Sequence, residues 1–273
     1  MDTELRPSTL EIIELLESAT GLPAQVTAVA SLDTIAVVKP ARGAQAAHHV
    51  MFNPMADEPP DYLICHECGI ALRQYAPPPE DRVEMAPDEQ GRQRVEEQLR
   101  GPKGPVHRYR LDDERTASLR DKLYGGMMLQ LRSTPVGLRV DEWLMEHYPD
   151  LGDLQESFAM GKMADDLAIL SADVRSITPP RPLMASLALN GAYAEFWSRL
   201  WGQPELVTPY RDPGSYRDAR ALMRSFDAAP DDPAHDTDLI DEWALTLGLS
   251  GWYRWRTFPT PSAPTATPPR AAS

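Results

Sequence analysis

The sequence predicts an α+β chain: one helix, three short strands and a buried helix, then helices almost to the end. Three observations carry that expectation. The stretch Asp61–Tyr75, DYLICHECGIALRQY, is apolar around most of its circumference when wound at about 100° per residue, the mark of a buried helix. Ahead of it lie three short apolar runs separated by turn residues. Behind it, apolar side chains recur at helical spacing in one segment after another.

Taken in order, Ser8 to Ser18 places Leu10, Ile12, Ile13, Leu15 and Leu16 on an amphipathic helix, with Ser8 or Thr9 as N-cap and Glu11 set for a capping box with Ser8. Gly21-Leu22-Pro23 stops it. Strands are expected at Val26 to Ala30, Thr34 to Val38 and His48 to Phe52, with turns at Asp33 and at Ala41-Arg42-Gly43. On a strand, neighbours point to opposite faces, so only one of His48 and His49 can face inward. Asn53-Pro54 ends the third strand, and Pro59-Pro60-Asp61 starts the central helix. After the APPPEDR break, the polar stretch from Asp88 to Pro105 holds one short helix around Arg92 to Leu99. Leu111 to Arg132 and Leu138 to His147 read as two helices, broken by Ser133-Thr134-Pro135. Leu154 to Ile177, Pro182 to Trp201, Ser215 to Phe226 and Asp238 to Leu247 complete the helices. Trp197, Trp201, Trp243, Trp252 and Trp255 are expected to build the core of this helical region. Thr257 to Ser273 is Pro, Thr, Ala and Ser with almost no large apolar residue, a composition that stays disordered. The domain reading is 1–150, a helical region at 151–256, and a tail at 257–273.

Of the 273 residues, 42% are hydrophobic and 27 are proline, so loops and a tail take up part of the length. The formal charge of −14 argues against nonspecific nucleic-acid binding and against an anionic membrane surface, since both call for a basic face. No apolar run approaches the roughly 18 residues of a membrane span. The acidic start MDTELRPSTLEII lacks the basic region of a signal peptide, and two cysteines three apart are no disulfide framework. A cytoplasmic location is expected.

The chemistry concentrates on the central helix. His66, Glu67, Arg73 and Gln74 share one polar stripe, with Leu63 and Ile70 inside it. Helical zinc sites use H-E-x-x-H, because imidazoles four residues apart reach one metal from one face while the acid polarises the bound water. Here the motif reads His66-Glu67-Cys68-Gly69-Ile70, and Ile70 stands where the second imidazole would be. Cys65 lies about 100° and Cys68 about 200° around the helix from His66, both poorly placed to replace it. The Cys65-x-x-Cys68 pair suits redox or zinc chemistry by spacing, but lies inside a helix on its apolar side, where it reads as two small buried residues.

The order helix, strands and then YLICHECGIALR resembles the ImmA/IrrE-type zinc metallopeptidase-like domain, a small gluzincin-like fold. Ala71-Leu72-Arg73 stand where that family has an apolar residue and Leu-Arg after its motif. The resemblance covers roughly the first 150 residues and rests on about fifteen. It implies a zincin-like N-terminal domain with a small sheet packed on the motif helix, His66 as metal ligand, Glu67 as general base, and a third ligand from a later helix. Within LRVDEWL, Asp141 or Glu142 is the local choice for that ligand, and both also suit the solvent face of an amphipathic helix. With Ile70 in the motif, the expectation is a metallopeptidase-like protein with a degenerate site and no cofactor, acting as a binding or regulatory module toward a protein or peptide partner. The rival is an active zinc peptidase with a rearranged site that uses His66, Glu67, and Asp141 or Glu142. A third reading is a helical interaction protein unrelated to peptidases.

Overall fold

The computed structural model describes residues 5–102, 104–211, 213–259 and 261, with only the backbone of residue 213. The fold is α+β with a mostly helical C-terminal part. The chain divides into two compact units. One comprises Met1–Glu84, Leu144–Leu154 and Thr257–Ser273, the other Met85–Trp143 and Gln155–Arg256.

In the first unit, α1 (Pro7–Thr20) buries Thr9, Ile12, Ile13 and Leu16 along one face. It starts at Pro7, a favoured first helical residue, and its Arg6 N-cap makes no side-chain capping bond. The expected Ser8 capping box is absent because the hydroxyls go elsewhere: Ser8 donates to the Asp150 carboxylate at 2.7 Å and Thr9 to Asp61. Gly21 closes the helix at φ 68°, a left-handed conformation that costs glycine no steric strain. Three strands follow: β1 (Ala24–Ala28), β2 (Ala36–Lys39) and β3 (His48–Phe52), in spatial order β1-β3-β2. β3 is central. It runs parallel to β1, with Ala24 opposite His48, and antiparallel to β2, with Ala36 opposite Phe52. Its alternation is that of a half-covered strand: His48, Val50 and Phe52 are buried, His49 and Met51 half-buried. α2 (Asp61–Tyr75) packs on α1 and β2.

Next come β4 (Val83–Pro87), α3 (Glu89–Arg100) and α4 (Pro105–Tyr109). Asp88 caps α3 by accepting from the Gln90 N–H at 2.8 Å. The two helices expected between Leu111 and His147 are one, α5 (Asp113–His147), which runs through Pro135. Leu131, Val136 and Leu138 are buried around the proline, and that packing outweighs the lost helical bond. The helix expected at Leu154 to Ile177 is instead α6 (Gly152–Asp166), a 3-10 turn at Leu167–Leu170, and α7 (Ala172–Ile177), which Ser171 caps by accepting from the Val174 N–H at 3.3 Å. α8 (Pro180–Trp201) is buried on nearly every side over Ala185–Ala194 and packs on α9 (Pro213–Ala228). α10 (Asp236–Leu247) adds Trp243. Trp197, Trp243 and Trp252 are core residues as expected, whereas Trp201 and Trp255 are half-buried.

The last element among the described residues is β5 (Tyr253–Thr257), which pairs with β4. Neither strand was expected. The first residues of the stretch expected as a tail, Thr257–Ser273, are ordered instead: Thr257 closes β5, and Phe258 is buried and meets Tyr75 edge-on at 5.6 Å. Residue 260 and residues 262–273 lie outside the described residues. Among the described residues no helix is long and apolar enough to cross a membrane.

Candidate functional site

α2 is anchored at both ends and partly open along one stripe. At its amino end the Asp61 carboxylate is 3% exposed. Its Oδ1 accepts the Arg6 backbone N–H at 2.7 Å and the Thr9 hydroxyl at 2.6 Å, and the Thr9 oxygen accepts the Cys65 thiol at 3.6 Å. The carboxylate thus lies in the first turn of α2 and at the amide end of α1, where helices favour negative charge. Arg6 extends the cluster, donating to the Asp150 carbonyl and pairing with Asp153 at 3.0 Å.

At the carboxyl end of α2 the Tyr75 hydroxyl donates to the Ala41 carbonyl, and the Ala41 N–H donates to His48 Nδ1 at 3.1 Å. With Nδ1 accepting, the neutral ring carries its proton on Nε2, 2.9 Å from the Thr20 hydroxyl oxygen. Thr20 in turn donates to the Leu16 carbonyl at 2.7 Å. Burial lowers the His48 pKa, against a weaker upward pull from Glu17. His48 is therefore a core histidine with both nitrogens engaged.

Between these anchors Leu63, His66, Glu67, Ile70, Arg73 and Gln74 are half-buried, while Tyr62, Ile64, Cys65, Cys68, Ala71 and Tyr75 are buried. The stripe expected from the sequence is accessible, and so is Leu72 on the side expected to be buried. The His66 ring sits 5.7 Å from that of Tyr62. Ile70 follows His66 by one turn and brings an alkyl group to the stripe.

Both cysteines are free and buried. Burial pushes the Cys65 thiol up to about 12, and the Cys68 thiol is raised further by burial and by its neighbour Cys65. Zinc ligation and disulfide exchange need the thiolate, so the pair behaves as packing material. Asp141 and Glu142 belong to the second unit. Asp141 is buried, and the Gln155 side-chain amide donates to its Oδ1 at 3.0 Å and to its carbonyl at 3.1 Å. Glu142 accepts from Arg139 at 3.2 Å; burial raises its pKa and Arg139 lowers it.

Among the described residues no group of three or more His, Cys, Asp or Glu side chains could hold a metal ion. The donors near His66 do not suit zinc either. The position of a second imidazole is an alkyl chain, and burial holds the thiols protonated. The stripe presents the polar side chains His66, Glu67 and Gln74 beside apolar Leu63 and Ile70. Sequence reasoning missed the roles of Asp61 and Thr9. One signal was available: an acid in the first turn of a helix with so little polar surface needs buried donors. Comparison with known proteins finds no family model, no curated protein and no solved structure that matches this chain.

Proposed function

We propose that the chain is a metallopeptidase-like, zincin-type protein with a degenerate HExxH site, and that it works as a binding or regulatory module. The single observation behind this is the half-buried His66-Glu67 pair on a largely buried helix, with half-buried Ile70 one turn along where a second imidazole would be. The order α1, three strands and α2 supports the zincin comparison. The poor fit of the donors to zinc supports loss of the chemistry. The partner is a protein or peptide, in keeping with the charge of −14, and free buried thiols suit a cytoplasmic location.

Metal analysis of the purified protein is the direct test. The expected result is far below one equivalent of zinc, unchanged in His66→Ala. Ile70→His is expected to raise zinc affinity by orders of magnitude, through a two-imidazole face. Close to one equivalent of zinc in the wild type, lost in His66→Ala, together with a proteolytic activity abolished in Glu67→Gln, would establish the active peptidase instead. No gain of zinc in a folded Ile70→His variant would reject the zincin comparison.

A further inference from the structure

The sheet of the first unit leaves β1 as an edge, on the far side of β3 from β2. Edge strands carry a row of unpaired backbone groups, and most proteins protect them with charge, proline or a bulge. β1 has none of these within Ala24–Ala28. The chain from Gly21 to Leu32 holds no charged residue, and four of the five strand residues are exposed, Val26 at 43%.

The parallel register fixes which groups point outward. His48 N–H donates to the Pro23 carbonyl and Val29 N–H to the Phe52 carbonyl, so the peptide groups of Gln25 and Thr27 turn toward β3. Those of Ala24, Val26 and Ala28 turn away from it. Only the Ala24 N–H finds a partner there, the Glu17 carboxylate at 2.6 Å. The Val26 and Ala28 donors and acceptors meet no other group among the described residues.

The surroundings say what kind of strand would fit. From Pro7 to Val38 the acids are Glu11, Glu14, Glu17 and Asp33, with no Lys or Arg. Glu14 is exposed and Glu17 half-buried, and Glu17 already touches the first residue of the edge. The side chains of Ala24, Gln25, Val26, Thr27 and Ala28 are small and uncharged, so an added strand can approach without steric conflict. An acidic helix beside an open, uncharged edge favours a cationic strand and disfavours a second copy of this acidic chain.

We propose that β1 is a docking edge for an extended basic segment of a partner protein, which adds as a fourth strand through the outward groups of Val26 and Ala28 and is drawn by the negative charge of α1, with Glu17 at the start of the edge. This surface is distinct from the α2 stripe and does not depend on the fate of the zinc site.

The test uses the full chain and two capped octapeptides, one alternating Lys and Val, the other Glu and Val. Binding is followed by amide exchange and by titration at low and moderate salt. The Lys-Val peptide should bind and slow exchange at Val26 and Ala28, weaken as salt rises, and lose about tenfold or more in affinity to Val26→Pro. That substitution removes one outward donor and leaves the bonds to β3, since proline is tolerated on edges. Glu14→Lys, at an exposed position, should weaken binding while leaving the fold untouched. Equal binding of both peptides, or binding unaffected in a folded Val26→Pro variant, would overturn the proposal. Concentration-dependent dimerisation abolished by Val26→Pro, without peptide binding, would assign the edge to a second copy instead.

Discussion

Replacing Asp61 by Ala should unfold the first unit far more readily than the loss of one side chain suggests. A single oxygen, Oδ1, holds both the Arg6 N–H and the Thr9 hydroxyl, and Thr9 is fully buried. Hydrogen bonds to a charged acceptor contribute about 1.5–3 kcal/mol each, and the Thr9 hydroxyl would be left buried without its acceptor, so the expected loss is about 3–5 kcal/mol. Against the roughly 5–15 kcal/mol of a whole domain, that is a large share. Asp61→Asn keeps an oxygen in the same place and should cost only about 1 kcal/mol. All six tryptophans lie in the second unit, so intrinsic fluorescence would follow the other body. The suitable assay is urea denaturation by far-ultraviolet circular dichroism, with amide exchange read in α1 and α2. A double-mutant cycle with Thr9→Val should show a coupling of about 1 kcal/mol or more. A loss below about 1 kcal/mol in Asp61→Ala, or strict additivity with Thr9→Val, would refute the role given to this carboxylate.

Other outcomes follow from the same geometry. Cys65 and Cys68 should resist an aromatic disulfide reagent in the native state even at pH 9 and react fully in urea, because burial holds both protonated; rapid native labelling would contradict this. The His48 pKa is lowered from an ordinary 6.5, so the folded state binds fewer protons than the unfolded one below that pH. Stability should therefore fall as pH drops below about 6.5, and the fall should be smaller in a folded His48→Gln variant; identical slopes would exclude His48 as the cause. Gly91→Ala should destabilise the second unit by about 2 kcal/mol or more, measured by Trp fluorescence in urea. An added methyl would lie 2.5 Å from the Trp252 carbonyl oxygen and 2.7 Å from the Tyr124 ring.

What the sequence made legible was local. The bounds of α2 and β3 can be read from their own side chains, because a helix apolar on most sides and an alternating HHVMF leave little choice. The stripe of His66, Glu67 and Ile70 follows from helical geometry alone. What stayed hidden depends on residues distant in the chain. β4 and β5 carry acid, arginine and proline, and only their pairing makes them strands. Pro135 looks like a break until the buried neighbours that keep α5 continuous are in view. The partners of Asp61 come from α1, and the carbonyl that Tyr75 binds comes from a loop before β3. The compact units are discontinuous, joining Leu144–Leu154 to the first part of the chain, which no scan along the sequence reveals.

The mixed sheet also has a temporal consequence. β2 and β3 are antiparallel neighbours joined by a short loop, so their pairing closes little chain. β1 pairs parallel to β3 only after the chain has passed through β2, which encloses a much longer loop at greater entropic cost. β1 is thus expected to zip on last during folding and to fray first in the native state, with Gln25 and Thr27 exchanging their amides ahead of those in the β2–β3 ladder. The strand offered to a partner is then the most loosely committed of the three, and a fourth strand would lock it down.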